Sequence, residues 1–141
     1  MRSHKAPVFY TNLVFRPRPW WLFWLSDRAW ITLNKVIYHP RSVKDPKLWP
    51  EVVAHEATHV HQQIRIGWHV FVWRYLMSRK ARLGFEAESF AAELLAHPEF
   101  DRARVMVIFS EALASSAYLW AAKDAAEGQR AIERFMLGSL E

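Results

Sequence analysis

His55-Glu56-Ala57-Thr58-His59 constrains this chain more than any other segment. Residues four apart on a helix share one face and lie about 6 Å apart along the axis. On a helix, the two imidazoles therefore reach one metal ion from the same side. Glu56 is one position on from His55 and points to the flank of the pair. There a carboxylate touches a metal-activated water without being a ligand. Two histidines and an adjacent carboxylate base at this spacing form the arrangement used by zinc-dependent peptidases.

The flanks predict the helix that this chemistry needs. Pro50 suits a first helical turn, where a missing N–H costs nothing. Glu51 complements the positive end of the helix dipole. Val52, Val53, Ala57, Val60 and Ile64 supply an apolar stripe at helical spacing, and Gly67 is a C-terminal stop.

A chain of 141 residues is long enough for one domain with a real core. With 52% hydrophobic and 23% charged residues, it is expected to be globular rather than disordered. It has no cysteine, which excludes disulfides and thiolate ligands. Any Zn²⁺ must therefore sit on histidine and carboxylate, and the composition fits a reducing compartment.

The formal charge is +5, with denser spots at Arg16/Arg18 and Arg74/Arg79/Lys80/Arg82. Neither a helix-turn-helix pattern nor a single-strand-binding signature accompanies them. A solvated basic face is expected, not specific nucleic-acid binding. No segment reaches transmembrane length. Met1–Lys5 is basic, but Pro7, Asn12 and Arg16 interrupt any signal-peptide core, so a cytoplasmic location is expected.

Val8–Phe15 reads as a strand, and Arg16-Pro17-Arg18-Pro19 as an extended arm. Trp20–Leu25 is expected to pack into the core. The alternative is an exposed patch for a protein partner or a membrane surface. Trp30–His39 is strand-like, with a turn or bulge at Asn34-Lys35 and with Ile31, Leu33 and Ile37 facing inward. As an edge strand beside a cleft, it would suit an extended peptide substrate. Asp45-Pro46 caps a short turn leading to Pro50. Helices are expected over Trp68–Leu83, ended by Gly84, over Phe85–Ala96, ended by His97-Pro98, and over Glu99 to about Ala126. A last helix follows a break at Gly128. The fold class is thus α+β and mostly helical, with a small N-terminal sheet packed on the motif helix and the helices after it. One domain spans 1–141: an aromatic-rich arm (1–29), a catalytic core (30–97) and C-terminal helices (98–141).

A catalytic zinc takes three protein ligands. The pattern with a third histidine after a glycine is absent, since position 62 is Gln and position 65 is Arg. The better source is Gly84–Glu93. Glu86 and Glu93 share a helical face and Glu88 points elsewhere. Phe85, Phe90 and Leu94 mark a buried side near Glu86, which makes Glu86 the first candidate. Glu88 and Glu93 are alternatives, and Glu93 is also a candidate to hold a ligand histidine by its other ring nitrogen. His69, Tyr75, His97 and Tyr118 are candidate donors to an oxyanion.

His55-Glu56-Ala57-Thr58-His59-Val60-His61-Gln62-Gln63, followed by Glu86-Ala87-Glu88, resembles the gluzincin type of zincin metallopeptidase. More narrowly, it is similar to small bacterial and tailed-phage metallopeptidases. The resemblance covers about residues 30–97. It implies a minimal zincin-like fold, zinc on His55, His59 and Glu86, peptide or protein substrates, and Glu56 as general base. The chain departs from the pattern at Ser89-Phe90, where such proteins often carry Ala-Asp. That removes a common outer partner, for which Glu93 is the substitute. A non-catalytic zinc module of a larger assembly, docking through the Trp-rich N-terminal segment, is the alternative reading.

Overall fold

The structure, a computed structural model, describes residues 13–22 and 25–138. It is α+β and mostly helical. Three short strands, β1 (Val14–Pro17), β2 (Ile31–Leu33) and β3 (Val36–His39), precede five helices. These are α1 (Pro50–Ile66), α2 (Trp68–Met77), α3 (Arg79–Ala96), α4 (Arg102–Leu113) and α5 (Ala125–Gly138). The sheet order is β1-β3-β2. β1 runs parallel to β3 and β2 antiparallel to it.

β1 extends through Arg16 and Pro17, which were expected to lie in an irregular arm. Edge position explains this, because a proline there costs no ladder hydrogen bond. The rest of the expected Val8–Phe15 strand lies mostly outside the described residues. In Trp20–Leu25, Leu22 is buried but Trp20 and Trp21 are exposed. Those two tryptophans are therefore not core, and Phe23 and Trp24 lie outside the described residues.

Asn34 and Lys35 both have positive φ, 49° and 71°. Such a two-residue turn matches the right-handed twist of a β-hairpin. The register pairs Thr32 with Ile37, and these two are buried, as is His39, while Ile31 and Leu33 are only half-buried. Ile37 faces inward as expected. In β2 the inward residue is shifted by one from the expected Ile31 and Leu33, and a shift of one moves every side chain of that strand to the other face.

α1 begins at Pro50 after a 3₁₀ turn, Pro46–Leu48, capped by Asp45. It ends at Gly67, whose φ of +88° strongly favours glycine. The expected Trp68–Leu83 helix instead breaks at Ser78. This residue is extended and its Oγ accepts from the Ala81 N–H, so it caps α3. Gly84 lies inside α3 and stops nothing.

The long helix expected from Glu99 is also divided, into a 3₁₀ turn (Glu99–Asp101), α4, a second 3₁₀ turn (Ser116–Tyr118) and a loop. Leu119 and Trp120 adopt left-handed backbone there, at a cost of about 1–3 kcal/mol each. Arginines of α3 hold the loop. Arg82 donates to the Leu119 carbonyl at 3.1 Å and Arg79 to the Ala121 carbonyl at 2.8 Å. Gly128 lies within α5 and breaks nothing. A Cβ there would sit 3.0 Å from the Ser110 carbonyl, so this glycine allows α5 to approach α4 closely. Leu94, Leu113 and Ile132 are fully buried in the core between α3, α4 and α5.

Candidate metal centre

α1 and α3 pack side by side and bring their polar residues together at one buried point. His55, His59 and Glu86 are each under 8% exposed. Their ligand atoms all lie within 4.8 Å of one another. Glu86 Oε1 is 2.6 Å from His59 Nε2 and 3.3 Å from His55 Nε2. Neither contact is aligned as a hydrogen bond, so Oε1 is a buried oxygen without a hydrogen-bonding partner. Such an orphan is costly unless a cation satisfies it. Two imidazole nitrogens and one carboxylate oxygen form the donor set of a three-ligand zinc site. The residues present therefore fit a metal ion.

The surrounding contacts dictate which atoms are offered. Gln62 Nε2 donates to the Phe85 carbonyl at 2.9 Å and to Glu88 Oε1 at 2.7 Å. That orientation leaves Gln62 Oε1 as the acceptor facing His59 Nδ1, at 2.9 Å. The proton of His59 is thereby held on Nδ1, and the Nε2 lone pair is left for the metal. Ser89 Oγ lies 3.2 Å from the same Nδ1. At His55, Glu93 Oε1 approaches Nδ1 to 3.0 Å, though off the hydrogen-bond axis. Tyr75 donates its hydroxyl to Glu86 Oε2 at 2.9 Å, which leaves Oε1 as the ligand oxygen.

The electrostatics are those of a coupled buried cluster. Burial by itself lowers the pKa of His55. Contact with Glu86 and Glu93 and the charges of Glu86 and Glu56 outweigh it, and the pKa lies well above the ordinary histidine value. His59 is raised too, its burial being outweighed chiefly by the charge and contact of Glu86. Burial would raise Glu86, but the two histidines hold it well below the usual carboxylate range. Burial, reinforced by the Glu86 charge, pushes the Tyr75 and Tyr118 hydroxyls far up, so both stay protonated donors.

Glu56 stands on the flank of the pair, 7% exposed. Its Oε2 accepts from Thr32 Oγ1 at 2.6 Å. Gln63 ties the β2–β3 hairpin to α1, donating to the Thr32 carbonyl at 2.9 Å and accepting from the Asn34 N–H at 2.7 Å. Phe71 and Phe90 pack edge-on against His59 and His55, at centroid distances of 5.7 and 4.6 Å, and make the walls apolar.

Of the sequence candidates, His55, Glu56, His59, Glu86 and Glu93 meet at this centre. Glu88 acts at one remove, through Gln62. Tyr75, one of the candidate oxyanion donors, donates its hydroxyl to Glu86. Tyr118 packs on Phe90, ring centroids 5.1 Å apart, and feels the charges of Glu86, Glu56 and Glu93. His69 is exposed and stacks on Trp68. His97 sits 3.9 Å from Asp101 and packs on Phe109. Neither histidine contacts the centre. Thr32, Gln62 and Gln63 were missed as site residues. The available signal was positional, since Gln63 lies two helical turns beyond Glu56 on the same face.

Comparison with family models, with curated proteins and with solved structures yields no match to this chain.

Proposed function

We propose that this chain is a zinc-dependent peptidase with a minimal zincin-like fold, in which His55, His59 and Glu86 hold the metal and Glu56 is the general base. The observation that carries the reading is the buried Glu86 Oε1, faced by two imidazole Nε2 atoms and satisfied by no hydrogen bond. A zinc ion bound there supplies Lewis acidity, lowering the pKa of a water and polarising a carbonyl.

The chain's own residues do the rest. Thr32 occupies Glu56 Oε2, so Oε1 is the oxygen left to accept a proton from the attacking water and return it to the leaving nitrogen. Gln62 keeps His59 in the tautomer that offers Nε2. Tyr118, whose hydroxyl stays protonated beside the cluster, is the candidate donor to an oxyanion. β2 carries Thr32 and pairs only with β3 among the described residues. Thr32 bonds Glu56 from this strand, and the strand's other edge suits an extended peptide backbone.

The deciding experiment measures metal content and hydrolysis of an unstructured protein substrate for the parent and for Glu56→Gln. One zinc per chain in both, with turnover confined to the parent, supports the reading. Equal turnover in both proteins refutes the mechanism. Zinc without turnover in either supports instead a metal-stabilised interaction module.

A further inference from the structure

α2 is apolar on both sides. Phe71 and Tyr75 turn toward the metal centre. On the opposite side, Val70, Trp73, Leu76 and Met77 are 48, 66, 59 and 66% exposed. Helical spacing places these four on the outward side, where the exposed His69 and Arg74 also lie. An exposed apolar patch of this kind normally marks a surface that is covered.

Charge indicates the cover. Between Glu56 and Glu86 the sequence has no acidic residue but carries Arg65, Arg74, Arg79, Lys80 and Arg82. Immediately after α2, Arg79 and Lys80 join Arg130 and Arg134 of α5 around a cavity of about 450 Å³, also lined by Leu83 and Phe135. Glu127 is the one carboxylate on that lining, and it is engaged by Arg79 at 2.6 Å. Lys80, Arg130 and Arg134 face the cavity as cations without a carboxylate partner among the described residues. An exposed apolar helix face bearing a tryptophan, followed in the chain by cations that have no carboxylate partner among the described residues, is what an anionic lipid surface recognises.

We propose that α2 is a membrane-interface helix. It lays Val70, Trp73, Leu76 and Met77 into the headgroup boundary of an anionic bilayer, while the Arg79/Lys80/Arg130/Arg134 cavity takes lipid phosphate. This docking does not depend on the site being a peptidase. If the site is one, its substrates are exposed segments of proteins at a membrane surface.

The test is co-sedimentation of the zinc-loaded full chain with vesicles of pure phosphatidylcholine and with vesicles that also contain phosphatidylglycerol, at low and high salt. The parent should bind the anionic vesicles at low salt and release at high salt. Trp73→Ser/Leu76→Ser should bind at least tenfold more weakly, since about 55 Å² of apolar area withdrawn from water corresponds to a factor of ten. Lys80→Gln/Arg134→Gln should lose roughly thirtyfold, about fivefold for each charge. Trp73→Phe should still bind but lose part of the fluorescence quenching by brominated lipid. No binding at low salt overturns the proposal, as does binding untouched by Trp73→Ser/Leu76→Ser. A dimer in light scattering that Trp73→Ser converts to monomer, with no vesicle binding, assigns the face to a second copy and also overturns it.

Discussion

Replacing Gln62 by leucine tests the metal centre through a residue that touches no metal. Gln62 is fully buried and makes three contacts: with His59 Nδ1 at 2.9 Å, the Phe85 carbonyl at 2.9 Å and Glu88 Oε1 at 2.7 Å. Two neutral hydrogen bonds at about 1 kcal/mol and one to a charged group at about 1.5–3 kcal/mol sum to roughly 3.5–5 kcal/mol. Burying leucine in the same volume returns about 1.5 kcal/mol. The net loss of about 2–3.5 kcal/mol, over an unfolding entropy of about 0.3 kcal/mol/K for a chain of this length, lowers Tm by about 7–12 °C. Free of its acceptor, His59 can turn and can carry its proton on Nε2. Zinc affinity should fall roughly 10–100-fold, the usual effect of losing such an outer partner. Competition with a chelating dye reads the affinity, and thermal unfolding with excess chelator reads the metal-free stability. A drop in Tm with unchanged zinc affinity would refute the claim that Gln62 sets the His59 tautomer. No change in either would refute the packing argument as well.

Two further outcomes follow from the same geometry. His55 and His59 have raised pKa values in the metal-free fold, so their contribution is fully present below the unfolded value of about 6.5 and is lost as pH rises through the folded values. Zinc binding requires both rings to be deprotonated and strengthens over that range. Tm measured with zinc and with chelator should therefore diverge as pH rises above about 6.5, and parallel curves would contradict the shared site. Gly128→Ala should gain about 1 kcal/mol of helix propensity yet lose about 1–3 kcal/mol to the contact with the Ser110 carbonyl. A net destabilisation of about 1 kcal/mol is expected in denaturant unfolding, and a stabilised variant would show that α4 and α5 separate freely.

The sequence by itself determined the helix of the metal centre and much of what it holds. Pro50 and Gly67 bound α1 because each acts on its own backbone, and the four-residue spacing of His55 and His59 is a property of any helix. Glu86 and Glu93 share a face of α3 for the same reason, while the contact of Glu88 with Gln62 is set by packing. Fold class was legible as well, since helical and alternating apolar periods are local patterns.

Tertiary structure decided the rest. Ser78 was passed over as a helix cap because Gly84 looked like the stronger stop, although a helix interior tolerates a glycine. Leu119 and Trp120 are turned out of helix by carbonyls bonded to Arg82 and Arg79, some forty positions away, and no local preference encodes that. The hairpin register, and with it Thr32 facing Glu56 in place of Ile31 and Leu33, is set where Gln63 clasps the strand. Alternation alone leaves both faces open when each carries β-branched residues. That Glu93 of α3 comes within 3.0 Å of His55 Nδ1 on α1 depends on the distance between the two helices, which side-chain packing sets and spacing within one helix does not.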